Sequence, residues 1–137
     1  MVSNAATHLV IRADAGTELG VGHVMRCLAL AQQWNQQAGR TVFLTKCTNE
    51  ALLSLIRSKG IKVIPMVLDQ PESADIQHTL SVSREHRAQW LVLDGKHFLG
   101  SFQQAVQSAG YRLLVIDDMA DLPKYQCQIL LNQNIRA

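Results

Sequence analysis

The 137-residue chain is 47% hydrophobic and 5% aromatic, enough apolar surface to build one core, and one compact domain spanning 1–137 is expected. Its 13 basic residues stand against 11 acidic ones for a formal net charge of +2, and no long run of either sign gives the footprint of a nucleic-acid binder. No apolar run approaches the roughly 18 residues that a membrane span requires, and the first seven residues lack a basic-then-apolar leader, so a cytoplasmic protein is expected.

Short runs rich in β-branched residues alternate with stretches of helical period, the pattern of βαβ units around a parallel sheet. Taken in chain order, a strand is expected over 8–12. A helix over 24–37 follows, with Met25, Leu28, Ala29, Leu30 and Trp34 among its apolar positions and Gly39 near its end as a C-cap. A strand over 41–45 leads to a helix over 49–59, whose Leu52, Leu53, Leu55 and Ile56 can face a sheet and whose stop is Gly60. Next come a strand over 61–66, a more polar helix over 73–87, a strand over 90–93, a helix over 101–108, and strands over 112–116 and 128–131. Right-handed crossovers make this an α/β fold with a Rossmann-like, doubly wound parallel sheet. Its strand carboxyl ends share one edge, where open sheets of this kind place their ligands.

That edge gathers four polar clusters: Asp14 to His23, Asp94-Gly95-Lys96-His97, Asp117-Asp118, and Asn132-Gln133-Asn134. The first, Asp14-Ala15-Gly16-Thr17-Glu18-Leu19-Gly20-Val21-Gly22-His23, is a strand-to-helix loop with three glycines. Such a loop lets backbone N–H groups and the positive end of a helix dipole approach an anionic or strongly polar ligand. No Gly-Lys-Ser/Thr follows, which excludes a P-loop, and Met25 stands where a strict GxGxxG needs its third glycine, which argues against a dinucleotide.

His23 opens the helix, where the dipole disfavours the imidazolium and leaves a neutral ring able to act as a base near pH 7. The same spacing also fits a tight turn followed by a helix-start histidine with a satisfied hydrogen bond. Arg26, one turn on, either bonds a carboxylate such as Asp14 or points into solvent. Arg12 and Asp14 either orient the loop or form an ordinary ion pair.

With these residues in view, Ile11-Arg12-Ala13-Asp14-Ala15 and Gly20-Val21-Gly22-His23-Val24-Met25-Arg26-Cys27-Leu28-Ala29-Leu30-Ala31 resemble the N-terminal signature of the pseudaminic-acid pathway UDP-sugar hydrolases and the related spore-coat polysaccharide proteins. The resemblance continues in Leu93-Asp94-Gly95-x-His97-Phe98, in Val115-Ile116-Asp117-Asp118-Met119-Ala120, and in Cys127-x-Ile129-Leu130-Leu131-Asn132-Gln133-Asn134. It implies the N-terminal domain of a GT-B-type enzyme, with a C-terminal nucleotide-binding domain beyond residue 137 supplied in cis or in trans. It also implies hydrolysis at the anomeric carbon of a UDP-linked 2,4-diacetamido-2,4,6-trideoxy sugar, with His23 as the base that activates water. Arg12, Asp14, Gly20, Gly22, Arg26, Asp94, Lys96, His97 and Asn132 are the expected substrate-binding residues, with neither metal nor other cofactor. The family often has tyrosine where this chain has Lys96: the lysine either changes sugar recognition, neutralises a phosphate, or is an exposed loop residue.

A glycosyl or other group transferase of the same architecture needs the same base, and a non-catalytic binding domain would keep the same loop; the motif separates neither from the hydrolase. His97 near Asp94 is a second candidate acid–base pair, or a strand-end histidine bonded to a carbonyl. Neighbouring residues on an extended chain point to opposite sides, so at most one of Asp117 and Asp118 faces the cleft. Cys27, Cys47 and Cys127, odd in number and without a CxxC pair, read as reduced thiols. His8, His78 and His86 have no partners at metal-ligand spacing and receive no role.

Overall fold

The computed structural model describes residues 7–14, 22–37, 39–67, 69–95, 98, 100–116 and 127–131, the side chains of Gly22 and His23 excepted. The elements are β1 (Thr7–Ala13), α1 (Gly22–Gln36), β2 (Gly39–Thr45), α2 (Glu50–Ser58), β3 (Lys62–Pro65), α3 (Glu72–Glu85), β4 (Ala88–Asp94), α4 (Gly100–Ser108), β5 (Arg112–Ile116) and β6 (Ile129–Leu131). Each expected element is present, with ends displaced by no more than two residues and the strand over 112–116 at its expected bounds. The ladders are parallel and run in the order β3-β2-β1-β4-β5-β6, a Rossmann-like, doubly wound α/β sheet.

Side-chain alternation divides the core between the two faces. Leu9, Ile11, Ala13, Phe43 and Val92 pack with residues of α1 and α2, whereas Val10, Val42, Leu44, Leu91 and Leu93 pack with residues of α3 and α4. Continuous apolar runs such as Trp90-Leu91-Val92-Leu93 are what a strand covered on both faces requires.

Helix ends follow local chemistry. The Asn49 side chain accepts from the Leu52 N–H at 3.1 Å and caps α2. Past its other end Gly60 takes φ 78° and donates to Arg57 O at 3.0 Å. Gly39 differs from expectation: it is the first residue of β2, and what it must satisfy is steric, because a Cβ there would lie 2.4 Å from the Trp34 ring.

The buried stripe of α1 is Val24, Cys27, Leu28 and Ala31, at the i, i+3, i+4, i+7 spacing. Of the other apolar positions expected on this helix, Met25 is 49% exposed and Ala29 is exposed, while Leu30 and Trp34 pack from the margin of the core. On α2, Leu52, Leu53 and Ile56 are buried and Leu55 is exposed. No helix among the described residues is long and apolar enough to cross a membrane.

Candidate active site at the carboxyl edge of the sheet

From β1 the chain moves to β2 and β3 on one side, then returns to place β4 against the other side of β1. The segments leaving β1 and β4 therefore diverge, and the carboxyl ends of these two strands flank the crevice where doubly wound sheets hold ligands. Ala13 and Asp94 are register partners at its floor.

Arg12 points to the face covered by α3. Its side chain is 0% exposed, and its guanidinium makes a two-pronged contact with Asp75: Nε donates to Oδ1 at 2.8 Å and Nη2 to Oδ2 at 2.6 Å. Asp14 takes a second edge, accepting from Nη1 and, at 3.3 Å, from Nη2. The ring of Phe98 lies 5.1 Å from the guanidinium carbon. Asp14 also accepts from the Lys46 N–H at 2.9 Å, and Lys46 Nζ lies 3.5 Å from Asp75 Oδ2.

The cluster thus joins two cations to two carboxylates and ties the ends of β1 and β2 to the first turn of α3. Burial pushes the Asp75 carboxyl up, but the hydrogen bonds and charge of Arg12, then Lys46, outweigh it and hold the group below the ordinary carboxylate range. Burial likewise opposes the charge on Arg12, and Asp75 and Asp14 more than restore it.

Arg26 makes a pair of its own on the opposite face. Its Nε donates to Asp94 Oδ2 at 2.7 Å and its Nη2 to Oδ1, so the carboxylate expected to partner Arg26 is Asp94 rather than Asp14. The Arg26 side chain keeps 14% exposure while that of Asp94 has none. Cys27 Sγ donates to Asp94 Oδ2 at 3.2 Å, and burial first, then the Asp94 charge, pushes this thiol well up. Just past Asp94, Gly95 takes φ 145°, a conformation open to glycine, and its carbonyl accepts from the Phe98 N–H at 3.2 Å.

The expected site residues sort as follows. Gly22 and His23 are the first two residues of α1, with His23 three ahead of Arg26, and of its side chain nothing is described. Asp14, Arg26 and Asp94 come to the crevice. For Arg12 and Asp14 the ion-pair alternative holds, and Arg12 is enclosed. Gly20, Lys96, His97, Asn132 and the Asp117-Asp118 pair lie outside the described residues. The three cysteines are free, and no group of three metal-ligating side chains occurs among the described residues.

Sequence reasoning missed Asp75, Lys46 and Cys27. A signal existed for the first. Asp75, Thr79 and Ser83 recur at i, i+4, i+8 and are all buried, with Thr79 Oγ1 donating to Asp75 Oδ1 at 3.3 Å and Ser83 Oγ to Thr79 O at 2.7 Å. An arginine in an otherwise apolar strand calls for such a polar stripe opposite it.

The strand order and crevice define a Rossmann-like, doubly wound α/β domain. The fold is shared with the crystal structure of Acinetobacter baumannii MurG, at TM-score 0.59 and 18% identity over 82% of this chain and 35% of that one. In sequence the chain is similar to the UDP-2,4-diacetamido-2,4,6-trideoxy-beta-L-altropyranose hydrolase of Campylobacter jejuni, 25% identical over 130 residues. The match takes in 94% of this chain but 42% of that protein, so the chain spans well under half the length of its relative. No family model matches the chain.

Proposed function

We propose that the chain is the base-bearing half of a two-domain, GT-B-type nucleotide-sugar hydrolase that removes UDP from a 2,4-diacetamido-2,4,6-trideoxyhexose during bacterial surface-polysaccharide or nonulosonic-acid synthesis. The observation that carries this reading is the similarity to the Campylobacter jejuni hydrolase along 94% of the chain. The opening of α1 beside the switch-point crevice supports it, because a helix N-terminus suits a diphosphate leaving group and a neutral histidine. The likeness to MurG, at 18% identity, bears on the fold and not on the reaction.

In the proposed reaction His23 takes a proton from water as the water oxygen bonds to the anomeric carbon. The bond from that carbon to the β-phosphate oxygen breaks, its electron pair leaves on UDP, and the proton on His23 returns to solvent. Gly20 and Gly22 bring backbone N–H groups to the diphosphate, whose developing charge they stabilise. Asp14, Arg26, Lys96, His97 and Asn132 line the sugar, and the enclosed Arg12 and Asp94 act as positioning residues through Asp14 and Arg26. A second domain, in cis or in trans, supplies the wall that holds the uridine, and the enzyme works in the cytoplasm without a metal.

The test is UDP release from UDP-2,4-diacetamido-2,4,6-trideoxy-β-L-altropyranose by this chain, with and without the part of the Campylobacter jejuni relative that it does not cover. Release is expected to rise when that part is added and to fall by about 10²–10⁴-fold in His23→Ala. No release in either format removes the hydrolase reading in favour of a transferase or a binding domain, and release indifferent to His23→Ala removes His23 as the base.

A further inference from the structure

The amino-terminal edge of the sheet, at the opposite end of the strands from the crevice, concentrates basic groups. His8 on β1 and Arg40 on β2 are register partners, and Lys62 opens β3 opposite Val42. Alternation with Val10, Val42 and Ile64 puts all three on the face that α3 covers. There α3 ends in His86, its C-cap residue. The His8 and His86 rings lie 5.7 Å apart, and Lys62 Nζ is 3.3 Å from His86 Nε2.

His86 Nδ1 is 3.0 Å from Val82 O. A carbonyl can only accept, so Nδ1 carries the proton and Nε2 presents a lone pair to the Lys62 ammonium. Lys62 therefore spends a donor on a neutral ring. Protonating His86 would set two cations face to face at that distance, and an oxyanion between them would satisfy both.

The groups that act on His8, after burial, are His86, Arg40 and Lys62, all basic, and together they lower its pKa. At the end of α3, Arg84 and Arg87 are exposed together with the carboxylate Glu85. The carbonyl end of α3 offsets part of this charge, but four converging basic side chains exceed what one helix terminus needs.

We propose that His8, Arg40, Lys62 and His86 form an oxyanion site that takes a phosphate group together with protons. One phosphate oxygen accepts from Lys62 and from protonated His86 Nε2, and the others from His8 and the Arg40 fork. The source is inorganic phosphate or the phosphoryl group of a phosphate monoester.

The test follows the imidazole resonances of the full chain by NMR while potassium phosphate, a sugar monophosphate or potassium chloride is added at matched ionic strength. His8 and His86 are expected to shift with saturation in the phosphate arms and His78 to stay in place. Affinity is expected to tighten as pH falls, by up to about tenfold per pH unit for each proton taken up, and Lys62→Gln to abolish saturation. Tighter binding of the monoester identifies it as the source; equal binding identifies free phosphate. Equal shifts from chloride, or saturation that survives Lys62→Gln, overturn the site. Since nothing here reads UDP release, failure of this site and failure of the hydrolase reading are separate results.

Discussion

Two arginine–aspartate pairs bracket the switch point, one on each face of the sheet, and they differ in what they leave available. Arg12 is 0% exposed, and Asp75, Asp14 and the Phe98 ring enclose its guanidinium. A charge so deep costs several kcal/mol to desolvate and is tolerable only while its carboxylates stay in place. Arg26 keeps 14% exposure and pairs with Asp94, so here the enclosed partner is the carboxylate and the guanidinium reaches solvent. The same two residue types thus make an enclosed brace under β1 and a pair whose guanidinium reaches solvent. Burial, rather than identity, separates the roles.

The largest effect expected from this contrast is on stability. Asp75→Ala leaves a buried guanidinium short of its two-pronged partner and should cost about 3–5 kcal/mol in urea denaturation. Asp94→Ala uncovers an arginine that solvent can reach and should cost about 1–3 kcal/mol. Equal losses would erase the distinction between the pairs.

A smaller effect sharpens it through pH. The folded-state pKa of Asp75 is depressed, with burial opposed and outweighed by Arg12 and then Lys46. Its contribution is therefore complete above the unfolded carboxylate value of about 3.9 and is lost as pH falls through the lower folded value. Wild-type stability should drop on acidification below about pH 4, and Asp75→Asn, having lost that contribution already, should show a shallower drop.

The smallest expected effect is chemical. Burial and the Asp94 charge keep the Cys27 thiol protonated, so native Cys27 should alkylate far more slowly than partly exposed Cys127 at pH 8, with the two rates converging in denaturant. Fast native labelling of Cys27 would mean that the Arg26–Asp94 side of the crevice is open.

The order and type of the elements were legible in the sequence because a parallel sheet covered on both faces needs continuous apolar strands, and because Gly60, without a Cβ, takes the positive φ that ends α2. Partnerships were far less so. Arg12 meets Asp75 from 63 residues away and Arg26 meets Asp94 from 68, and periodicity assigns a face without naming what lies across it. Most of the glycine loop lies outside the described residues, and the polar stripe of α3 that anchors Arg12 passed as an ordinary polar helix. His86 gained no role from metal-ligand spacing because its neighbours arrive through strand register, which no spacing within one segment reveals.

The central claim is that the crevice between β1 and β4 supports hydrolysis at an anomeric carbon. Its most direct test runs the proposed reaction in heavy-oxygen water, with the remaining part of the Campylobacter jejuni relative supplied, and weighs both products by mass spectrometry. The label is expected to enter the sugar, and UDP is expected to be released unlabelled. Label in the β-phosphate of UDP, or no cleavage at all, would contradict it.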